Sequence, residues 1–459
     1  MTSQLFAGPA AGLETLAQLR AGALAGSRRL TLSCGLESFP PEVFTLADTL
    51  EILDLSGNAL SALPDNLARL HRLRIIFCSN NRFTELPAVL GQCAQLEMVG
   101  FRANRIRHVP AAALPPRLRA LVLTDNQLTE LPAALGRCTQ LQKLMLAGNQ
   151  LHSLPPEMTA CTRLELLRIP ANRFAALPGW LLALPRLAWL AFAGNPLAGA
   201  GEAAAQAGSS LAEIDWASLQ PGALLGEGAS GVIREAFWQR GDTPLPVAVK
   251  LFKGALTSDG LPRHEMAACM GAGPHPALIA VHGRVTGHPA GSDGLVMALV
   301  APRFGNVAAP PSLDSCTRDV YDAATRFTPD ALLQLALGVA SAAGQLHARG
   351  ILHGDLYAHN VLCTQDGQAL LGDFGAASFF PPDDAPLALA LQRIEARAFA
   401  CLLEELLACG PAPAQLQAVR DVLATLQADC AQPDTTQRPL FAEIVQRLSR
   451  CGQAIAAIG

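Results

Sequence analysis

Between Leu50 and Asn195 the chain returns again and again to one phrase. "LEILDLSGNAL", "LRIIFCSNNRF", "LEMVGFRANRI", "LRALVLTDNQL", "LQKLMLAGNQL", "LELLRIPANRF" and "LAWLAFAGNPL" open at residues 50, 73, 96, 118, 141, 164 and 187, in steps of 23 with a single step of 22. A fixed period of this length implies one supersecondary unit that cannot bury its apolar side alone and stacks on its neighbours instead. Each phrase reads as a short strand followed by an Asn, and a Leu-Pro such as Leu63-Pro64 or Leu154-Pro155 begins the return. The column Asn58, Asn81, Asn104, Asn126, Asn149, Asn172, Asn195 carries a group that donates and accepts at once. It suits the turn after each strand, where a curved stack leaves backbone groups unpaired.

These phrases resemble leucine-rich repeats, which implies an α/β horseshoe solenoid over 30–197. "LTLSCGLESFP" at 30–40 is an imperfect eighth copy, and 1–29 is expected to cap the open end of the core. In a solenoid the second and fourth residues after each opening leucine face the concave side. Those columns hold Ile52, Ile75, Met98, Ala120, Lys143, Leu166, Trp189 and Asp54, Phe77, Gly100, Val122, Met145, Arg168, Ala191. The expectation is an exposed apolar stripe of Ile52, Ile75, Phe77, Met98, Val122, Met145, Leu166 and Trp189. Such a stripe binds either an external protein partner or the chain's own second half.

The 459 residues suffice for two or three domains, and with half of them hydrophobic and 16% charged, wholesale disorder is excluded. A formal net charge of −4 gives no basic field for nucleic acid or acidic lipid. The longest apolar runs, such as "LLQLALGVASAAGQL" at 332–346, read as too short and too polar for a membrane span, and the start lacks a basic head followed by an apolar core. A cytoplasmic protein is expected. Twelve scattered cysteines form no CxxC pair. Cys93, Cys138 and Cys161 take the slot that Leu70 fills in another repeat, which marks them as small hydrophobes.

After Asn195 the period stops, and "PLAGAGEAAAQAGSSLAEIDW" reads as a linker or fraying helix, placed at 198–215. The second domain, 216–459, opens with "LLGEGASGVIREAFW". Gly226, Gly228 and Gly231 fit G-x-G-x-x-G, which also occurs in dinucleotide-binding turns, but a β-pattern rather than a helix follows, leading to Lys250 in "PVAVKLFK". Glu265 follows in "RHEMAACM", then Asp355 and Asn360 in "ILHGDLYAHNVL", then Asp373 in "LLGDFGAAS". Five ordered matches resemble the eukaryotic-type protein kinase fold from about residue 217 onward, a bilobal α+β domain. "CAQPDTTQRPLFAEIVQRL" at 430–448 resembles the closing helix region of the tyrosine-kinase-like branch. Together with the repeats, the whole chain resembles a soluble leucine-rich-repeat protein kinase, and its Ala, Leu and Pro usage resembles that of a GC-rich bacterial genome.

The resemblance implies ATP and Mg2+, a protein substrate and a division of labour. Gly226, Gly228, Ser230 and Gly231 would cover the phosphates, Ile233 and Ala248 would line the nucleotide site, and Lys250, steadied by Glu265, would pair the α- and β-phosphates. Asn360 and Asp373 would hold Mg2+, and Asp355 would orient the acceptor hydroxyl and take its proton. His353 is expected as a packed imidazole beside Asp-Phe-Gly. Arg438 is expected in an ion pair, although no Ala-Pro-Glu motif supplies its partner. The reaction class is read as protein phosphorylation; Tyr357 stands two residues after Asp355, where a Lys would indicate a Ser/Thr kinase, so the acceptor type is open and Ser/Thr is favoured only as the commoner class. Alternatives are a small-molecule kinase, which shares His-Gly-Asp with Asn five residues after the Asp, and a catalytically weak scaffold.

Gly354 stands where regulated kinases carry an Arg that receives a phosphate on the activation loop. The segment "GAASFFPPDDAPLALALQRIE" at 375–395 offers Ser378 as its one hydroxyl. The expectation is a kinase not gated by loop phosphorylation, with control coming from what the solenoid binds.

Overall fold

The computed structural model describes residues 9–207, 211–228, 230–254, 256–409 and 417–456. The first eight residues of the expected cap, 208–210 of the expected linker, Ala229 of the glycine-rich loop and the last three residues lie outside the described residues. The chain divides into two compact units, one ending at Leu184 and the other beginning at Pro185.

In the first unit, helix α1 (Pro9–Arg20) precedes seven strands: β1 (Arg29–Thr31), β2 (Ile52–Asp54), β3 (Ile75–Phe77), β4 (Met98–Gly100), β5 (Ala120–Val122), β6 (Lys143–Met145) and β7 (Leu166–Arg168). All pair in parallel with a register of one repeat, as in Leu53↔Ile76 and Leu121↔Leu144. The middle residue of each strand points into the core, so Leu53, Ile76, Val99, Leu121, Leu144 and Leu167 are buried. The return segments are 3-10 turns, and a one-turn helix α2 (Gly179–Leu182) ends the unit. The asparagine column works as its chemistry requires. Asn126 Nδ2 donates to Phe101 O at 2.9 Å and Leu123 O at 3.1 Å, while its Oδ1 accepts from Ile106 N at 2.9 Å. Leu16 and Leu19 bury the inner side of α1. A Cβ on Gly12 would stand 2.3 Å from Ser33 O, so the helix lies directly on the first repeat.

The exposed stripe is corrected. Ile75, Met98, Met145, Leu166 and Trp189 are buried, and so are Lys143 and Arg168 in the same columns, while Ile52, Phe77 and Val122 are half-buried. Part of the reason is local, because strands under 5 Å apart bring the columns into contact along the stack. The Phe77 ring lies over Gly100, where a Cβ would come within 2.6 Å of Cδ1. The cysteines agree with the sequence reading: all twelve are free. Burial raises the Cys93, Cys138 and Cys161 thiols to about 11.

The second unit begins inside the repeats, earlier than the expected boundary. The last repeat contributes strand β8 (Trp189–Ala191), and the segment read as a linker or fraying helix holds helix α3 (Gly199–Ala207). Strands β9 (Ala212–Asp215), β10 (Leu219–Glu227), β11 (Gly231–Arg240) and β12 (Thr243–Phe252) follow, then α4 (Pro262–Ala272), β13 (Val281–Thr286) and β14 (Gly294–Ala298). They form a six-stranded sheet in the order β10-β11-β12-β14-β13-β9, antiparallel except for the β13–β9 pair. One face of this sheet buries Ile214, Leu219, Ala236, Val247, Val249, Val285 and Val296. On the other, Phe252 and Leu295 pack on Met266 of α4.

The remaining elements are β15 (Gly305–Asn306), α5 (Pro329–Ala348), β16 (Ile351–Leu352), β17 (Val361–Cys363), β18 (Ala369–Leu371), β19 (Ser378–Phe379), α6 (Ala385–Ala408), α7 (Gln417–Cys430) and α8 (Phe441–Ala456). Helix α5, capped by Thr328 Oγ1 accepting from Ala331 N, is by length and composition apolar enough to cross a membrane. That corrects the sequence reading of this run, but Leu332, Leu335, Val339, Ala343 and Leu346 are buried, which is the behaviour of a core helix.

Candidate active site

The alternation of β12 decides which way Lys250 looks. Val247 and Val249 enter the sheet core, so Ala248, Lys250 and Phe252 take the opposite face, toward α4. Ile233 on β11 is the register partner of Lys250 and shares that face, and Ala248 is buried beside them. Helix α4 starts at Pro262, so Glu265 falls in its first turn, 2% exposed, and forms an ion pair with Lys250. Ser230 hydrogen-bonds the same carboxylate. Burial works against the Lys250 charge, yet the Glu265 and Asp373 carboxylates outweigh it and hold the ammonium above its usual range.

Above this face, β10 and β11 form a hairpin in which Gly228 N donates to Gly231 O at 2.9 Å. Ideal Cβ atoms on Gly226 and Gly228 would meet nothing within 4 Å, leaving room at the hairpin for a phosphate chain. Gly231 is required for a different reason: a Cβ there would stand 2.6 Å from Leu251 O.

The catalytic-loop candidates lie between β16 and β17. Asn360 Nδ2 donates to Asp355 O at 2.9 Å and to Asp355 Oδ2 at 2.8 Å, so the two side chains are held as one unit. His353 is fully buried, its Nε2 donating to Gly372 O at 3.0 Å and its Nδ1 accepting from Asp355 N at 3.3 Å. It is the packed imidazole that was expected, 5.3 Å from the Phe374 ring. Asp373 is exposed and has φ +54, a left-handed conformation supported by Gly375 N donating to its Oδ1 at 3.1 Å.

ATP and Mg2+ fit these residues. The open glycines suit phosphate, and the Asn360 and Asp373 oxygens suit a hard cation that keeps some of its ligands from substrate and water. No group of three or more His, Cys, Asp or Glu side chains forms an all-protein metal cage among the described residues.

Three supports were not visible as such in the sequence. Glu395, 1% exposed on α6, accepts from Gly354 N at 2.7 Å, His353 N at 3.4 Å and His347 Nε2 at 2.6 Å. Burial opposes its charge, but these donors win and hold the carboxyl below its usual range. The available signal was a lone acid in the apolar run of α6, since a buried charge requires partners. Asp319 accepts from His359 N at 2.9 Å and Nδ1 at 2.7 Å, fixing the residue next to Asn360. The third support is β8. The Trp189 ring stacks on Tyr357, with centroids 4.1 Å apart and planes 7° from parallel, and its Nε1 donates to Leu356 O at 3.1 Å. Phe192 N donates to Ser378 Oγ at 2.8 Å, and Ser378 is fully buried.

Gly354 has φ +72, and a Cβ there would lie 2.6 Å from Leu190 O and 2.8 Å from Ala376 O. No Arg fits in this conformation. Among the described residues Arg438 makes no ion pair and instead donates to the carbonyls of Gln432, Arg393 and Pro185. Burial, with Arg397 nearby, lowers it to about 10.

A family model of protein tyrosine and serine/threonine kinases matches residues 219–397, and one of the leucine-rich repeat matches 49–70. The chain is 40% identical over 62 residues to an Arabidopsis thaliana leaf rust 10 disease-resistance locus receptor-like protein kinase-like 1.3, covering 14% of this chain and 9% of that protein. It is 29% identical over 153 residues to the megakaryocyte-associated tyrosine-protein kinase of Rattus norvegicus, covering 26% of this chain and 33% of that protein. For the same kinase of Mus musculus the figures are 30% over 152 residues, 26% and 30%. The chain thus spans a third or less of the length of these curated relatives. A leucine-rich repeat and a protein kinase domain stand in one chain.

Proposed function

We propose that the chain transfers the γ-phosphoryl group of ATP to a protein hydroxyl, Ser or Thr in the first instance. The observation that carries this reading is the closed Lys250–Glu265 pair in the same site as Asp373 and the linked Asp355–Asn360 unit. A scaffold without chemistry has no evident use for an ion pair with a buried carboxylate gathered beside a second carboxylate and a linked Asp–Asn unit. Lys250, kept cationic by its carboxylate neighbours, would orient the α- and β-phosphates. Asn360 and Asp373 would hold Mg2+, which when bound supplies charge neutralisation on the phosphates. Asp355, fixed by Asn360, would accept the proton of the incoming hydroxyl, and the buried His353 serves the backbone rather than the chemistry.

A small-molecule acceptor is the second reading. It is favoured by the short path from Gly375 to the start of α6 at Ala385, which leaves little chain to carry a peptide. On either reading the activity belongs in the cytoplasm, where ATP is available and twelve cysteines stay as thiols. For the repeats, the half-buried Ile52, Phe77 and Val122 mark where a protein partner would touch the concave columns.

The test is incubation of the full-length protein with labelled ATP and Mg2+, with casein as a generic acceptor and phosphoamino-acid readout. Asp373→Asn, which removes a charge while nearly keeping shape, should cut transfer at least a hundredfold. Wild-type turnover in a folded Asp373→Asn protein removes the kinase reading. Phosphotyrosine would move the acceptor class, and label only on small alcohols would favour the second reading.

A further inference from the structure

We infer that the terminal repeat is a positioning element for phosphoryl transfer, built into the kinase unit in place of a phosphorylated activation loop. The inference rests on the kinase reading above but on different residues, all within the unit that begins at Pro185.

Three catalytic elements, and the buried Arg438, are touched by the short stretch from Pro185 to Ala207. On the catalytic loop, Trp189 covers Tyr357, two residues after Asp355, and donates to the carbonyl of Leu356. Leu190 O lies against Gly354, the residue before Asp355. On the segment after Asp-Phe-Gly, Phe192 N is received by Ser378 Oγ, whose hydroxyl donates in turn to Ala376 O at 3.2 Å. On α4, Gly194 approaches the His264 ring so closely that a Cβ would stand 2.4 Å from Cε1. Glu202 of α3 lies 3.6 Å from His264 Nε2, and the same Glu202 accepts from Gly194 N at 2.7 Å. His264 directly precedes Glu265. At the far end, Pro185 O receives the buried guanidinium of Arg438.

A phosphorylated activation loop orders a kinase by pairing new negative charge with an Arg beside the catalytic Asp. This chain lacks both partners: Gly354 replaces the Arg, and the single hydroxyl of 375–395 is buried against Phe192. The terminal repeat supplies the ordering instead, through one flat aromatic stack and main-chain hydrogen bonds that need no modification. Trp189 is a positioning residue here: it acts through Tyr357 and Leu356 on the placement of Asp355.

The test uses full-length protein with Trp189→Ala, Trp189→Phe and Ser378→Ala. Hydrogen exchange is followed in peptides covering 351–362 and 375–384, with 441–453 on α8 as the internal control. In parallel, kcat and KM for ATP are measured with Mg2+ and casein. Trp189→Ala is expected to speed exchange of 351–362 at least tenfold and lower kcat at least tenfold, with KM for ATP within about threefold. Trp189→Phe keeps a ring on Tyr357 and is expected to recover most of both, and Ser378→Ala to speed exchange of 375–384 severalfold. If Trp189→Ala fails to fold, the other two variants carry the test. Exchange in both peptides unchanged relative to α8, or kcat unchanged with the loop loosened, overturns the inference. A wild-type protein that transfers no phosphate would sink the kinase reading instead, while the exchange arm still reports whether the brace exists.

Discussion

At Gly354 two independent demands fall on one residue. The backbone is left-handed, and two carbonyl oxygens occupy the space where a side chain would begin. Gly354→Ala should therefore cost about 3 kcal/mol, the sum of a left-handed penalty and a main-chain overlap. Urea unfolding of the kinase unit measures it, and a loss under about 1 kcal/mol would show that Leu190 moves aside freely. His264 offers a test of a different kind. Burial, with Arg263 beside it, lowers its pKa from 6.5 to about 4. The unfolded chain takes up the proton first, so the stability of the neutral native form is fully present above pH 6.5 and is lost as pH falls toward 4. The loss amounts to roughly 3 kcal/mol at the low end. Glu202, raised by burial, works in the opposite sense over the lower part of that window. His264→Gln should therefore flatten the acid limb of a melting-temperature profile between pH 6.5 and 4. Parallel profiles for variant and wild type would mean that His264 titrates normally.

The strands and the asparagine turns show what a period can and cannot tell. Every strand from β2 to β8 begins two residues after its opening leucine, and the Asn column sits in the turns as its donor and acceptor chemistry demands. Asn126→Ala, which would orphan buried groups on two repeats, is expected to cost about 3 kcal/mol in a denaturant titration. Asn58→Ala, half-buried near the open end, should cost less. Equal losses would mean that the ladder is not what holds the turns. The same period gave the columns that face the concave side but not the cover over Trp189, since spacing carries no information about Tyr357 and Leu356, far along the chain. The kinase motifs were legible for a related reason: glycine, lysine and carboxylate at fixed intervals state a local chemistry. Glu395 was not, because the backbone donors it accepts from, Gly354 N and His353 N, lie 41 and 42 residues away. Helix α3 was read as a linker or fraying helix because small residues give little amphipathic signal.

The division of the molecule falls at Leu184, not in the alanine-rich stretch where composition changes. A fragment beginning at Pro185 keeps Trp189, Phe192 and the Arg438 acceptor, whereas one beginning at Leu211 loses all three. Loss of a buried Trp alone costs about 3–5 kcal/mol. The shorter fragment is therefore expected to melt lower or to be insoluble, as scanning calorimetry or simple yield would show, and equal melting temperatures would place the boundary back at 198–215. The same geometry bears on how the chain is made. Trp189 leaves the ribosome 167 residues before the carbonyl it serves, and Pro185 leaves 253 residues before Arg438. At ordinary elongation rates that is a wait of roughly ten to fifty seconds. During it the newborn chain carries an unfinished last repeat with an uncovered indole, so Trp189 is expected to be most open to chaperones after the repeats are made and before residues 351–362 arrive.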